Sequence, residues 1–438
     1  MKALIMAGGK GTRIASVRSD IPKPMIPVLG KPILEYQIER LKAAGITDIT
    51  LITGHLGNAI RNYFGDGSAF GVSINYFEET YPLGTAGALF KMELPDEDFI
   101  LLNGDIIFDI DFERLVSFHR ERGALASLVS HPNDHPFDSS LLVTEILSPE
   151  TPGGLPVETG RVTAWLTKED PREYYRNRVN AGIAVLSPEL ISCTRSVLVP
   201  RHPENPDKID LDRDVLRPAI STGRIFAYDT PEYIKDMGTP ERLSEVERDI
   251  ALGRVSARNL ANKQKAVFLD RDGTLNRHVG FLSDPSLFEL LPGAAEAVKK
   301  IHEAGYLAIV VTNQPVIARG ECSFEGLRLI HNKMETLLGR EGAFLDAIYY
   351  CPHHPDSGFE GERLEYKRVC DCRKPAPGLL FQAVRDFNID LSNSIMIGDG
   401  PADEAAGRAA LCKESITIPT NTPGALLDAL SANLDCIS

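Results

Sequence analysis

Lys265-Ala266-Val267-Phe268-Leu269-Asp270-Arg271-Asp272-Gly273-Thr274-Leu275-Asn276 runs an apolar stretch into two carboxylates, a glycine and a threonine. A short apolar run of this kind reads as a buried parallel strand, and open α/β sheets place their chemistry at the carboxyl ends of such strands. Asp270 and Asp272, two residues apart, leave the strand on one side. An opening strand belongs at the start of a domain, yet residues 1–264 precede this one. That mismatch predicts two catalytic units joined head to tail.

A chain of 438 residues with 43% hydrophobic and 25% charged residues fits two or three globular domains. The net charge of −14 argues against a nucleic-acid partner while leaving room for local basic pockets. No apolar run is long enough to span a bilayer, and Met1 to Ala7 leads into a glycine loop instead of a cleavage site. The expectation is a cytoplasmic protein with no membrane partner; homo-oligomerisation is left open. Seven cysteines, an odd number with three close together, suit a reduced compartment and a metal site better than a disulfide framework.

From the amino terminus, Lys2 to Ala7 reads as a strand and Gly8-Gly9-Lys10-Gly11-Thr12-Arg13 as a loop whose backbone N–H groups could approach phosphate oxygens. Its spacing fits neither the Walker nor the dinucleotide pattern. Lys23 follows between Pro22 and Pro24, which restrict the backbone around its charge. A helical pattern over Pro32 to Gly45 and strands at 48–53, 72–77, 99–103 and 124–130 predict a mostly parallel α/β sheet. Asp105 sits just past one strand end, in Asn103-Gly104-Asp105.

Taken in order, the glycine loop, Pro22-Lys23-Pro24, Leu83-Gly84-Thr85-Ala86-Gly87-Ala88, Gly104-Asp105, Asn180-Ala181-Gly182, Asp214-Val215-Leu216 and Lys235-Asp236-Met237-Gly238-Thr239-Pro240 resemble the nucleotidyltransferases that make nucleoside-diphosphate sugars. The resemblance covers roughly the first 245 residues. It implies that Gly8, Gly9, Gly11, Thr12 and Arg13 hold the triphosphate, and that Lys23 lies by the reacting phosphates. Asp105 and Asp236 would share Mg²⁺. Gly84, Thr85 and Gly87 would face the base, and Lys168 and Asn180 the sugar phosphate. Two departures stand out: Thr167-Lys168-Glu169-Asp170-Pro171 replaces the usual Glu-Lys-Pro, and Ile14 to Ile21 replaces the common Leu-x-Pro-Leu. The second variant is most similar to guanylyltransferases acting on heptose 1-phosphate, which makes GTP the expected nucleotide.

Pro240 to Gly253 reads as a helix and 254–264, polar and aperiodic, as a linker. The expected units are therefore 1–253 and 265–438. No hexapeptide repeat follows the first unit.

In the second unit the opening strand is joined by Thr312-Asn313, Arg373-Lys374-Pro375 and Gly398-Asp399-Gly400-Pro401-Ala402-Asp403. These four motifs resemble the haloacid dehalogenase-like phosphatases. The resemblance makes Asp270 the nucleophile and Asp272 the general acid and base. It gives Mg²⁺ to Asp270, the Asp272 backbone carbonyl and Asp399, and places Lys374 on the phosphoryl oxygens, with Thr312 and Asn313 supplying hydrogen bonds.

Cys351-Pro352-His353-His354-Pro355 and Cys370-Asp371-Cys372 together meet the tetrahedral demand of a structural Zn²⁺. Chemistry alone leaves either histidine open as the fourth ligand beside Cys351, Cys370 and Cys372; the family pattern favours His353. This loop resembles that of heptose-bisphosphate phosphatases and, nearly as closely, histidinol-phosphate phosphatases, which implies that Arg373 reaches the substrate's remote phosphate. Pro315-Val316 and Gly400 depart from the usual Ser-Gly and lysine.

The expected whole is an α/β chain with a Rossmann-like mixed-sheet nucleotidyltransferase first and a haloacid dehalogenase-like Rossmannoid domain with a zinc loop second. Its small-molecule partners would be heptose 1,7-bisphosphate, heptose 1-phosphate and GTP. Other readings are a mannose 1-phosphate nucleotidyltransferase joined to a histidinol-phosphate-type phosphatase, and a sugar-nucleotide-sensing module joined to an active phosphatase.

Overall fold

The computed structural model describes residues 1–8, 21–358 and 360–434. The expected triphosphate residues Gly9, Gly11, Thr12 and Arg13 lie outside the described residues.

The first unit is built on strand β1 (Ala3–Met6), whose alternate side chains feed two cores. Ala3 and Ile5 pack on one face and Leu4 on the other, and all three are buried. In chain order come helix α1 (Ile33–Ala43), β2 (Asp48–Thr53), β3 (Ser73–Glu78), β4 (Phe99–Asn103), β5 (Ile106–Asp109), β6 (Ala126–His131), β7 (Leu141–Leu147), β8 (Val157–Leu166), β9 (Val179–Leu186), β10 (Ile225–Asp229) and β11 (Tyr233–Asp236). Nine strands form one sheet in the order β3-β2-β1-β4-β9-β6-β10-β8-β7. The first four are parallel, but β9 enters antiparallel to both β4 and β6, and β7 and β8 form an antiparallel arm. The sheet is mixed, as the family resemblance implied, and less parallel than the strand pattern alone suggested. Strand β11 pairs with β5 in a separate ribbon, which brings Asp236 opposite Ile106.

Helix α2 (Pro240–Ala251) closes the unit, its first turn capped by the Thr239 hydroxyl accepting from Arg242 N. The expected linker is packed, not loose. It carries a short helix, α3 (Arg254–Ala257), and buries Val255 and Leu260. Leu260 N donates to Glu232 at 2.8 Å, and Asn259 to Asp109 at 2.8 Å.

The second unit begins with β12 (Ala266–Leu269), central in an all-parallel sheet. Helix α4 (Ala294–Glu303), β13 (Leu307–Asn313), α5 (Phe324–Arg340), β14 (Ala347–Cys351), β15 (Ile395–Gly398) and β16 (Glu414–Thr417) follow, with strand order β14-β13-β12-β15-β16. Val267 and Leu269 pack in one core, Ala266 and Phe268 in the other. Burial on both faces is what an unbroken apolar run requires of a parallel strand.

The two units make several polar contacts. Helix α5 docks on the first unit: Thr336 Oγ1 accepts from Tyr175 N at 2.9 Å, and Glu335 faces Arg178 at 3.3 Å. The β7–β8 arm reaches the cysteine loop of the second unit. There Gly154 O accepts from Tyr366 Oη at 3.0 Å and Gly153 O from Arg368 Nη2 at 2.9 Å. Gly153 has φ +77°, and a Cβ on it would stand 2.3 Å from Glu365 O, so only glycine allows this approach.

Candidate active sites

In the first unit a cavity of about 1550 Å³ opens at the carboxyl ends of β1 and β4. Gly8, Lys23, Gly84, Thr85, Asp105, Asn180 and Asp236 all line it. Strand order explains the convergence: β1 ends at the glycine loop, β4 delivers Gly104-Asp105, and Met237 N donates to Asp105 O at 2.8 Å, fastening the end of β11 beside it. Each metal-ligand candidate is met by a cation. Lys23 pairs with Asp105 in a very short contact, and Arg242 Nη1 grips Asp236 at 2.6 and 2.5 Å.

Two expected contacts are not in this wall. Lys168 is exposed and does not line the cavity, because it follows β8 at the arm's root. Gly87 is buried against the Asp207 backbone, which leaves only Gly84 and Thr85 of that motif on the cavity. Thr85 Oγ1 is itself engaged, accepting from Leu211 N at 2.8 Å.

Sequence reasoning also passed over polar groups here. Glu79 lines the cavity, and burial pushes its carboxyl up to about 7. His131, Asp134 and His135 form another stretch of wall.

In the second unit Asp270 follows β12, Asn313 ends β13 and Asp399 follows β15, so three adjacent parallel strands aim at one point. Lys374 Nζ lies 2.7 Å from Asp270 and 2.5 Å from Asp403. Burial would lower the lysine, but the two carboxylates hold it raised and therefore charged. Burial pushes Asp270 up, with Asp403 and Asp272 adding to it and Lys374 opposing. Asn313 does not offer its amide to the centre. It holds the backbone of Lys374 from both sides, Oδ1 accepting from Lys374 N and Nδ2 donating to Lys374 O, each at 3.0 Å. Thr312 is buried and accepts from Gln314 at 2.9 Å.

Asp272 belongs to a different network. Its oxygens take Arg271 Nη2 at 2.7 Å, Gln314 Nε2 at 2.9 Å and Asn276 Nδ2 at 3.0 Å. Burial alone would raise it, but Arg271 and the amide bonds bring it below the usual carboxylate range. Its side chain is thus spoken for, and the carboxylates that converge are Asp270, Asp399 and Asp403, with ligand atoms within 4.8 Å of one another. A hard divalent cation such as Mg²⁺ fits that all-oxygen set. Gly273, at φ +86°, makes room: a Cβ there would lie 2.1 Å from Asp399 Oδ2.

Two of these residues were missing from the expected site. Asp403 was available in the spacing Gly-Asp-x-x-x-Asp. Arg271, fully buried between the two aspartates, gives no sign in the sequence that it turns inward.

Beside this centre, Cys351, His353, Cys370 and Cys372 bring their ligand atoms within 4.8 Å of one another. The sulfur separations are 3.2 to 3.5 Å and His353 Nδ1 is 3.3 Å from Cys372 Sγ. Sulfurs around tetrahedral zinc would stand about 3.8 Å apart, so the quartet needs only slight expansion. Within the trio of thiols the Cys351 bond, followed by those of His353 and Cys370, outweighs burial and draws Cys372 down to about 4, while the bond to Cys372 pushes Cys351 up, and burial followed by the bond to Cys372 pushes Cys370 up. Of the two histidines, His353 is the one in the cluster; His354 Nδ1 faces the Asp356 backbone. Arg373 Nη1 donates to His353 O at 3.1 Å, tying the loop to the neighbour of Lys374.

The nucleotidyl transferase family model matches residues 2–252, more than half the chain, and the haloacid dehalogenase-like hydrolase model residues 226–410. The D-glycero-beta-D-manno-heptose-1,7-bisphosphate 7-phosphatase of Pasteurella multocida is 42% identical over 160 residues, which are 36% of this chain and 84% of that protein. The chain belongs to both families. The phosphatase of the same name from Escherichia coli K12 is 38% identical over 164 residues, 37% of this chain and 84% of its own. The crystal structure of HddC from Yersinia pseudotuberculosis complexed with GMP-PN is 25% identical and covers 57% of this chain and 99% of its own, with a TM-score of 0.44. The protein is an enzyme with a nucleotidyltransferase unit followed by a haloacid dehalogenase-like phosphatase unit. Among the described residues no helix is long and apolar enough to cross a membrane.

The two centres face different ways. The nucleotidyltransferase cavity extends to Lys265, Gly305 and Asp346, which precede β12, β13 and β14. The phosphatase carboxylates lie past the opposite ends of those strands.

Proposed function

We propose that this enzyme removes the 7-phosphate of a heptose 1,7-bisphosphate in its second unit and joins the resulting heptose 1-phosphate to GMP from GTP in its first. The observation that carries the reading is the pairing of units. The relatives of the phosphatase unit are named for a bisphosphate whose 7-dephosphorylation leaves a sugar 1-phosphate, the substrate class that a sugar nucleotidyltransferase consumes. Reaction order is then the reverse of chain order. The choice of GTP rests on the motif variant after the glycine loop.

In the phosphatase unit an Asp270 oxygen attacks the 7-phosphorus and the P–O bond to the sugar breaks, the leaving oxygen taking a proton from Asp272, which must first be protonated and freed from its Arg271 and Gln314 bonds as substrate enters. Asp272 then withdraws a proton from water as it attacks the aspartyl-phosphate, which frees phosphate and restores Asp270. Lys374 balances charge on the phosphoryl oxygens, and Asn313 keeps it in place through its backbone. Asp270, Asp399 and Asp403 would hold a Mg²⁺ that neutralises charge between two anions. Cys351, His353, Cys370 and Cys372 would hold Zn²⁺ with no position left for water, a structural role. Arg373 serves the remote phosphate.

In the nucleotidyltransferase unit an oxygen of the sugar phosphate attacks the α-phosphorus of GTP and pyrophosphate leaves. Lys23 and Arg13 steady the phosphates, Asp105 and Asp236 would hold Mg²⁺, and Asn180 contacts the sugar phosphate. The reduced thiols of the cysteine quartet and the nucleotide substrate favour the cytoplasm as its place.

The test is mass spectrometry of products from GTP, Mg²⁺ and each anomer of heptose 1,7-bisphosphate. One phosphate, one pyrophosphate and one GDP-heptose per sugar are expected. Untouched bisphosphate, or heptose 1-phosphate that accumulates beside intact GTP, would sink the reading.

A further inference from the structure

The cavity wall poses a charge problem. The nucleotidyltransferase must seat a sugar phosphate against a triphosphate, yet the lysine expected to meet the sugar phosphate, Lys168, is exposed and outside the wall. Lys23 is paired with Asp105, and Lys235 with Glu245. Arg254, farther along, is bonded to Asp249 and to Glu303 O of the phosphatase unit.

Arg242 is placed differently. It comes from the first turn of α2 and lines the cavity half-buried. Nη1 grips both oxygens of Asp236, while Nη2 meets His135 Nε2 at 2.8 Å. A guanidinium only donates, so this contact makes Nε2 the acceptor and puts the ring proton on Nδ1, which faces Asp134 in a very short contact. His135 N also donates to Asn133 Oδ1 at 3.1 Å. Asp134 holds the imidazole at Nδ1, the loop backbone is held by Asn133, and Nε2 is thereby presented to Arg242 independently of Asp236.

A divalent cation on Asp236 would draw that carboxylate's oxygens to itself. The guanidinium would keep its histidine and lose its acid, leaving a half-buried planar fork facing the cavity that Asn180 also lines. Such a fork matches two oxygens of a phosphate. We infer that Arg242, oriented by His135, receives the phosphate of the sugar 1-phosphate once Asp236 holds its metal. The inference rests on the reading of this unit as a sugar-phosphate nucleotidyltransferase and adds a substrate contact that its motifs do not contain. Arg242 binds substrate; His135 is a positioning residue.

The experiment uses the full chain with Mg²⁺. Steady-state constants for GTP and for heptose 1-phosphate are measured for wild type, R242Q, R242K and H135A. Heptose 1-phosphate is also titrated calorimetrically into each protein loaded with Mg²⁺ and a non-reactive GTP analogue. R242Q should raise the KM and the calorimetric Kd for the sugar phosphate roughly 10- to 100-fold, the loss of a charged hydrogen-bonded pair, with the KM for GTP within about twofold. R242K, keeping charge without the fork, should fall between, and H135A should raise the sugar-phosphate KM while kcat stays near wild type. Unchanged sugar-phosphate binding in both arginine variants would overturn the inference, as would a rise confined to GTP, which would assign the guanidinium to the triphosphate. Wild-type protein that makes no nucleoside-diphosphate sugar would overturn the reading of the unit and this inference with it.

Discussion

Lys374 Nζ lies 2.7 Å from Asp270 Oδ1, although 104 residues separate them in the chain. The cation that would steady a phosphoryl group therefore already faces the carboxylate that would attack it. Asp270→Asn removes the proposed nucleophile while conserving shape. Phosphate release from heptose bisphosphate should fall by roughly 10³-fold or more. Guanylyl transfer to supplied heptose 1-phosphate should stay within about twofold, because the transfer site is in the other unit. Loss of both activities would contradict the separation of centres.

The pH dependence of stability has an identifiable contributor in His331. It sits on α5, nearly buried, with Nε2 3.2 Å from Arg271 Nη1. Burial first, and the Arg271 charge second, push it down to about 3. An unfolded histidine titrates near 6.5, so between about 6.5 and 3 the unfolded chain binds a proton that the folded chain refuses. Its stabilising contribution is whole above pH ~6.5 and is lost as pH falls toward ~3. In H331Q, which keeps an acceptor for Arg271, denaturation midpoints should decline less steeply below pH 6.5 than in wild type. Parallel curves would show that the group does not matter.

The cysteine quartet makes a compositional prediction. Purified protein should carry close to one zinc per chain, and C372S much less. Chelation should lower the thermal midpoint of the phosphatase unit and its activity, since closing this loop on a metal also places Arg373. Protein without zinc and a C372S variant of unchanged stability would argue that the cluster is only a reduced thiol core.

The opposed openings of the two centres bear on how an intermediate travels. Heptose 1-phosphate formed past the carboxyl ends of β12 and β15 has to leave the phosphatase site before it reaches a cavity beyond the amino ends of that sheet. In a coupled reaction from labelled bisphosphate, an excess of unlabelled heptose 1-phosphate should dilute the label in GDP-heptose in proportion to its share of the pool. Product that keeps its full label would demand a protected path.

Much of this was legible before folding, and the reason is locality. Phe268 and Leu269 feed opposite cores because a strand alternates its side chains, and Asp270 follows because the strand ends there. Cys351 with His353, and Cys370 with Cys372, declare a metal site through spacings of two. The misplaced expectations concern position relative to distant chain. Lys168 was matched by its neighbours in sequence, yet where it points is decided by the antiparallel arm on which it ends. Gly87 was read as facing a base, yet the Asp207 backbone covers it from across the fold.

The sequence by itself determined the two units, their order, the opening strand that starts the second with Asp270 at its end, and the grouping of Cys351, His353, Cys370 and Cys372, because each rests on contacts within a few residues or on a fixed spacing along one strand or loop. Tertiary structure alone decided that Arg242 bridges Asp236 and His135 across 107 residues, that Arg271 turns inward onto Asp272, that Asp403 joins Asp270 and Asp399, and that the centres open in opposite directions. Those pairings depend on which strands and helices become neighbours. That is settled by the packing of whole apolar faces, and no short stretch of residues records it.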